Sequence, residues 1–451
     1  MSNSLRQLSA LLQSGKLTST QLTETALQKA ADSNAVFTFI DEQSIQEASR
    51  IDAAIKAGKS GPLAGIPISL KDLFNVRGQP TFAGSKVLQN EASAETEDAP
   101  VIEALRKAGL IFVGRTNMSE FAFSGMGLNP HYGTPLCIWD RETGRIPGGS
   151  SSGSAVSVAE GIVPATMGSD TAGSCRIPAA FNGIVGVKPS YGRFSLDGIF
   201  PLSPTSDAPG PLAVDLDSCF LMDQALLGKI TASEPLPSIE SRDPKSITLA
   251  IPQGIVMQDL DSEVAAAFAR GVEVLKTAGI KIVEKEMPVL DDCVEMFMTR
   301  AVALYESWQA HKHRIESRGD EYDPFVSLRM QGGTQVSQQE QQARYDYKKT
   351  LVSRFESEMK SNQLDGLIYP TTCCLPPVIP EDRSVENLVK INFPCLRNTS
   401  TANYFDGCSI SLPCHTPSEA PVGFMVSSVN GDDMSLYQVA SVIEQLLSDV
   451  R

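Results

Sequence analysis

The chain has 451 residues, 42% of them hydrophobic and 20% charged, with a formal net charge of −15. This is globular composition with length enough for a sizeable core, and an acidic balance without clustered Lys and Arg excludes direct binding to nucleic acid or an anionic membrane. No apolar run approaches the roughly 18 residues of a membrane span, and "MSNSLRQLSALLQSGK" lacks the apolar core of a secretory signal, so the cytoplasm is the expected compartment.

Residues 4–31 read as two amphipathic helices, "LRQLSALLQSG" and, after a Thr/Ser-rich cap, "TQLTETALQKAA". "GIPISLKDLF" is a turn followed by a short buried strand ending at Lys71. A helix over 99–109 and a strand over 110–117 follow, and that alternation predicts an α/β fold with a mostly parallel or mixed β-sheet covered by α-helices. Residues 140–230 are dense in Gly, Ser and Pro but keep short apolar runs. Beyond them come a strand (246–254), a helix (262–279), a strand at "KIVEKEM" and two long helices (291–315 and 337–361). Strands at 364–372, "CSISLPC" and "VGFMVSS" and a last helix over about 434–449 close the chain. The stretch 225–246 reads as a linker or a long surface loop, and there is no internal repeat. Length alone suggests two or three domains, and one large α/β unit is also open.

The nine Cys are scattered, with neither a disulfide framework nor a CxxC metal site, and read as buried reduced thiols. His311 and His313 straddle a Lys in "QAHKHRIE", which reads as an exposed helix face. No metal site and no cofactor is expected.

Three segments carry chemistry. "MGSDTAGSCRIPAAF" (167–181) strings small residues together with Asp170, Ser174 and Arg176, which suits a turn or a nucleophilic serine in a loop rich in backbone donors. "GGSSSGSA" (148–155) resembles a flexible linker in composition, but it is short and helix-like apolar sequence follows at once. It reads better as a helix start with free N–H groups, and the G-K-[ST] ending of a phosphate loop is absent. Lys71, alone after an apolar strand, is either a snorkelling lysine or a desolvated amine able to act as a base near neutral pH.

Together these segments resemble the amidase signature family. "GGSSSGSA" followed by "GSDTAGSCRIPAAFNGIVGVKPSYGR" is similar to its Gly/Ser-rich signature, "GIPISLKDLF" to its lysine segment and "GRTNMSEFAFSG" to the loop between, and the likeness covers nearly the whole chain. The resemblance implies the amidase signature fold, a mixed β-sheet enclosed by α-helices, as one domain over 1–451. That domain would have N-terminal helices to about 60, a signature core to about 220, a pocket-forming helical region to about 362 and closing strands and helix to 451. The resemblance also implies a Ser–cis-Ser–Lys triad of Ser174, Ser150 and Lys71. It implies an oxyanion hole from the backbone N–H groups of Thr171, Ala172, Gly173 and Ser174, braced by Asp170 and Arg176. The function it implies is hydrolysis of a small amide, an aryl amide or carbamate among them, through a Ser174 acyl-enzyme, with esterase or urethanase side activity. Family members usually carry Gly where Ala172 stands. The loop 117–133, rich in Phe, Met and Gly, is expected to supply substrate contacts through Met118, Phe121 and Met126 and to favour a largely uncharged substrate. Two other readings stand beside this one: a glutaminase-type A subunit of a tRNA-dependent amidotransferase, and a catalytically inactive binding protein. Ile177 follows Arg176 where amidotransferase subunits commonly have Gln, which favours a stand-alone monomer or homodimer acting on a small-molecule amide.

Overall fold

The computed structural model describes residues 3–89, 91–231 and 234–448. Asp449 of the expected last helix, and Ala232 and Ser233 of the expected linker, lie outside the described residues. Among the described residues eleven strands form one mixed sheet. They are β1 (Phe37–Ile40), β2 (Pro67–Lys71), β3 (Ile111–Thr116), β4 (Ala165–Asp170), β5 (Val185–Lys188), β6 (Ala208–Ala213), β7 (Thr248–Gln253), β8 (Lys281–Glu286), β9 (Gly366–Pro370), β10 (Cys408–Pro413) and β11 (Gly423–Ser428). Their order is β1-β3-β2-β4-β6-β5-β10-β11-β9-β7-β8.

Two parallel runs, β3-β2-β4 and β9-β7-β8, flank an antiparallel centre. Central strands such as β2 and β4 are buried at every residue, as strands covered by helices on both faces must be. β8, an edge strand reading KIVEKE, is exposed or half-buried throughout, and its charges discourage pairing with another chain. Strands before and after residues 225–246 share one sheet.

The first two helices are Leu5–Gln13 and Ser19–Asp32, each opened by a capping box, Ser4 with Gln7 and Thr18 with Gln21. The helix expected over 291–315 is two, Pro288–Thr299 and Val302–Arg318, because Arg300 and Ala301 leave helical geometry. A twenty-residue helix, Val385–Tyr404, was not foreseen. Its internal Pro394 and its run of Asn, Ser and Thr argue against a helix locally, but twelve of its residues are buried and tertiary packing holds it. His311 does not lie on an exposed face: it is fully buried, its Nδ1 is 3.0 Å from the Tyr322 hydroxyl, and its ring meets those of Phe121 and Phe200. His313 on the same helix does face solvent.

Candidate active site

Lys71 is the last residue of β2, between the parallel neighbours β3 and β4. Sites in such sheets collect at the carboxyl ends of parallel strands. The side chain is completely buried, and Nζ lies 2.7 Å from Ser150 Oγ and 2.8 Å from Ser169 Oγ. Burial pulls the ammonium down to about 7, against the opposing pull of carboxylates at Asp170 and Asp207.

Ser150 precedes the short helix Ser152–Ala159, and the Gly149–Ser150 peptide bond is cis. The run of small residues here is a packing requirement. A Cβ on Gly153 would come within 2.2 Å of the Val36 carbonyl oxygen and 2.7 Å of the Asn117 nitrogen, so this helix lies against backbone. Its serines find hydroxyl partners on the strands β2 and β3. Ser154 Oγ is 2.7 Å from Thr116 Oγ1, and Ser157 Oγ is 3.0 Å from Ser69 Oγ. Ser151 ties the two Ser-rich segments together: its N–H donates to the Ser174 carbonyl at 3.3 Å.

β4 ends at Asp170, and the chain then turns sharply through 171–174. Asp170 organises the turn. Its carboxylate accepts from the N–H of Gly173 (2.8 Å) and of Cys175 (3.1 Å) and pairs with Arg176 (2.9 Å), both charges being fully buried. Asn403 bridges the pair, accepting from Arg176 at 2.8 Å and donating to Asp170 at 3.0 Å. Burial alone would raise the Asp170 pKa, but the adjacent guanidinium holds it at about 2. Gly173 has φ +131°, and a Cβ there would meet Thr399 Oγ1 at 2.1 Å, so only glycine fits. The Thr399 hydroxyl donates to the Ala172 carbonyl at 2.7 Å and fixes that peptide plane.

One of the four expected oxyanion donors is therefore already engaged, since the Gly173 N–H points to Asp170. The N–H groups of Thr171, Ala172 and Ser174 have no acceptor in the chain among the described residues. All three residues line a cavity of about 270 Å³, whose remaining wall is largely apolar. Phe297, Ala301, Val302 and Leu304, at the break between the two helices, and Asn392, Phe393 and Leu396 of the unforeseen helix complete it.

The loop 117–133 reaches this cavity, but through Ala122, Phe123, Ser124 and Gly125. Met118, Phe121 and Met126, expected as substrate contacts, are instead in the core. Phe121 is packed among Phe200, His311 and Tyr322, and Met126 belongs to a cluster with Ile146 and Ile177. The loop buries these three apolar side chains against the core and leaves Phe123 with the small residues Ala122, Ser124 and Gly125 on the cavity side. Cys175, next to Ser174, also faces away: it is fully buried beneath the sheet with Ala155 and Leu212, and burial pushes its thiol well above the usual range. All nine cysteines are free.

Sequence reasoning missed Ser169, Asp207, Thr399 and Asn403. Asp207 accepts from the Thr171 hydroxyl (2.6 Å) and from the N–H groups of Leu202 and Ser203 (both 3.0 Å), which anchors one wall of the cavity to the turn. Ser169, inside the signature, was the one legible signal, as a hydroxyl next to Asp170 at the end of a strand.

One mixed sheet, with a buried lysine–serine pair and a serine-bearing turn that lines a cavity, defines an α/β enzyme whose polar centre holds no histidine among the described residues. The chain belongs to the amidase family, whose model, described as Amidase, matches residues 21–437. It is 31% identical to the 2-amino-5-chloromuconic acid deaminase of Comamonas testosteroni, over 98% of this chain and 96% of that one. It is 32% identical to the mandelamide hydrolase of Pseudomonas putida, over 98% of this chain and 91% of that one. It is 31% identical to the A subunit of the glutamyl-tRNA(Gln) amidotransferase of Syntrophus aciditrophicus, over 98% and 96%. A solved amidase crystal structure superposes with a TM-score of 0.87 at 30% identity, covering 98% of this chain and 99% of that one. No helix among the described residues is long and apolar enough to cross a membrane.

Proposed function

We propose that this chain hydrolyses small amides through an acyl-enzyme on Ser174. The observation that carries the reading is the contact of the buried Lys71 amine with Ser150 Oγ, 2.7 Å, on a segment tied by backbone to Ser174. In the neutral form Lys71 accepts the Ser150 hydroxyl proton, and Ser150 accepts the proton that Ser174 loses as its Oγ bonds to the amide carbon. The carbonyl π pair moves to oxygen, which the N–H groups of Thr171, Ala172 and Ser174 receive. Collapse of this intermediate breaks the C–N bond, and the relayed proton leaves with the amine. Water then adds to the ester, its proton follows the same relay, and Ser174 recovers it as the acid departs. Asp170 and Arg176 position the turn and move no proton.

The size and rings of the cavity suit a small aryl amide, and the likeness to a mandelamide hydrolase supports that class. Carbamates and esters would follow the same tetrahedral route. The test is labelling with a fluorophosphonate. Wild-type protein should be labelled at Ser174 and should release ammonia from benzamide without a partner. Ser174→Ala should abolish both. An adduct on Cys175, or glutamine hydrolysis appearing only with added amidotransferase subunits, would replace this reading.

A further inference from the structure

The cavity beside Ser174 holds a cation that the hydrolytic chemistry does not use. Arg329, on the helix Pro324–Gln331, lines it. Its Nη1 donates to the Phe123 carbonyl at 2.5 Å, and its guanidinium carbon lies 4.1 Å from the Phe123 ring centre and 5.2 Å from that of Phe325. These contacts hold the planar group in place, yet no carboxylate faces it among the described residues: burial alone acts on it and draws it down to about 10. Three of the cations buried elsewhere have a carboxylate partner. Arg115 pairs with Asp72, Arg176 with Asp170 and Lys348 with Asp406, while Lys188 donates to two carbonyls.

Asn392 is the second element. It is 5% exposed and lines the same cavity. Its Oδ1 accepts from the Gly125 N–H at 2.8 Å and from the Ser124 hydroxyl at 3.3 Å. That assignment leaves Nδ2, a pure donor, without an acceptor among the described residues. A fixed guanidinium with no carboxylate partner and an amide N–H₂ with no acceptor among the described residues thus border a largely apolar space. Donors that face a cavity are free to bind an acceptor entering it, and a carboxylate matches the planar fork of Arg best.

Resting on the amide hydrolysis read above, we propose that the substrate is an amide that also carries a carboxylate, which Arg329 and Asn392 bind. This replaces the uncharged substrate expected from the apolar loop 117–133.

The test compares the three carboxybenzamides with the corresponding nitrobenzamides by ammonia release. Nitro is planar and of similar size but uncharged, and it activates the amide more, so it biases the comparison against the proposal. The wild-type enzyme should prefer at least one acid over its nitro counterpart by about 30-fold or more in kcat/KM. Arg329→Met should bring that ratio near one, and Arg329→Lys, which keeps the charge but loses the fork, should retain part of it and serves if the Met variant does not fold. Equal rates on both series, or a ratio unchanged by substitution, would overturn the anion subsite and leave amide hydrolysis standing. If neither series is hydrolysed, calorimetric titration of 3-carboxybenzamide and 3-nitrobenzamide into Ser174→Ala protein decides. Preferential binding of the acid, lost with Arg329→Met, upholds the subsite without the hydrolytic reading, and equal or absent binding refutes it.

Discussion

Lys71→Met is the substitution that most directly probes the proton relay. In the wild-type protein burial brings the amine to about 7, so about half of it is neutral at pH 7. At pH 5 only about 1% is neutral and at pH 8 about 90%, which gives a fall of roughly ninetyfold in kcat/KM between those two values if the neutral amine is the base. The sign follows from the direction of the shift: protonation on the acid side removes the base, so activity is lost as pH falls. Met at this position keeps the stem and removes the nitrogen. The expected loss at pH 8 is at least about 10²-fold, with the acid limb at pH 7 gone from whatever activity remains. The substitution also leaves Ser150 and Ser169 without their buried donor, so folding must be checked first by the urea midpoint. The assay is ammonia release across pH 5–9 in buffers of constant ionic strength. A Lys71→Met enzyme with the wild-type rate and the same acid limb would refute the relay, and a wild-type profile flat from pH 5 to 8 would refute the lowered amine.

Two further substitutions test the supporting frame. Asp170→Asn removes the charge facing Arg176 while leaving the geometry nearly intact; a buried guanidinium without its partner should cost about 3–5 kcal/mol, read as a lower urea midpoint, and an unchanged midpoint would show that the pair does not brace the turn. In the wild-type protein the depressed Asp170 pKa contributes stability that is full above pH 4 and is lost as pH falls toward 2. Thr399→Val deletes the hydroxyl that holds the Ala172 carbonyl, so kcat should fall about 2- to 10-fold with little change in KM, whereas an altered KM at constant kcat would assign Thr399 to substrate binding.

Much of the fold was legible because its signals are local. The capping boxes at Ser4 and Thr18 mark the helix starts, and the apolar runs before Lys71 and at 364–372 mark buried strands. The candidate catalytic groups were legible for a similar reason: Asp170, Gly173, Ser174 and Arg176 act on one another within seven residues, and a turn that tight dictates its own composition. The helix Val385–Tyr404 was hidden because its propensity points the other way, and the break at Arg300–Ala301 because neither residue is a helix breaker.

By itself, then, the sequence determined most of the element types and the composition of the turn that presents Ser174. Which side chains surround that serine was decided only in the tertiary structure. Arg329, Asn392 and Thr399 come from helices more than 150 residues further along the chain. Phe121 and Met126, near in sequence to cavity-lining Phe123, are turned into the core. The physical reason is range. Hydrogen bonding and backbone conformation act over a few residues and are written locally, whereas the wall of a cavity is the remainder after distant helices have buried their apolar faces against one sheet.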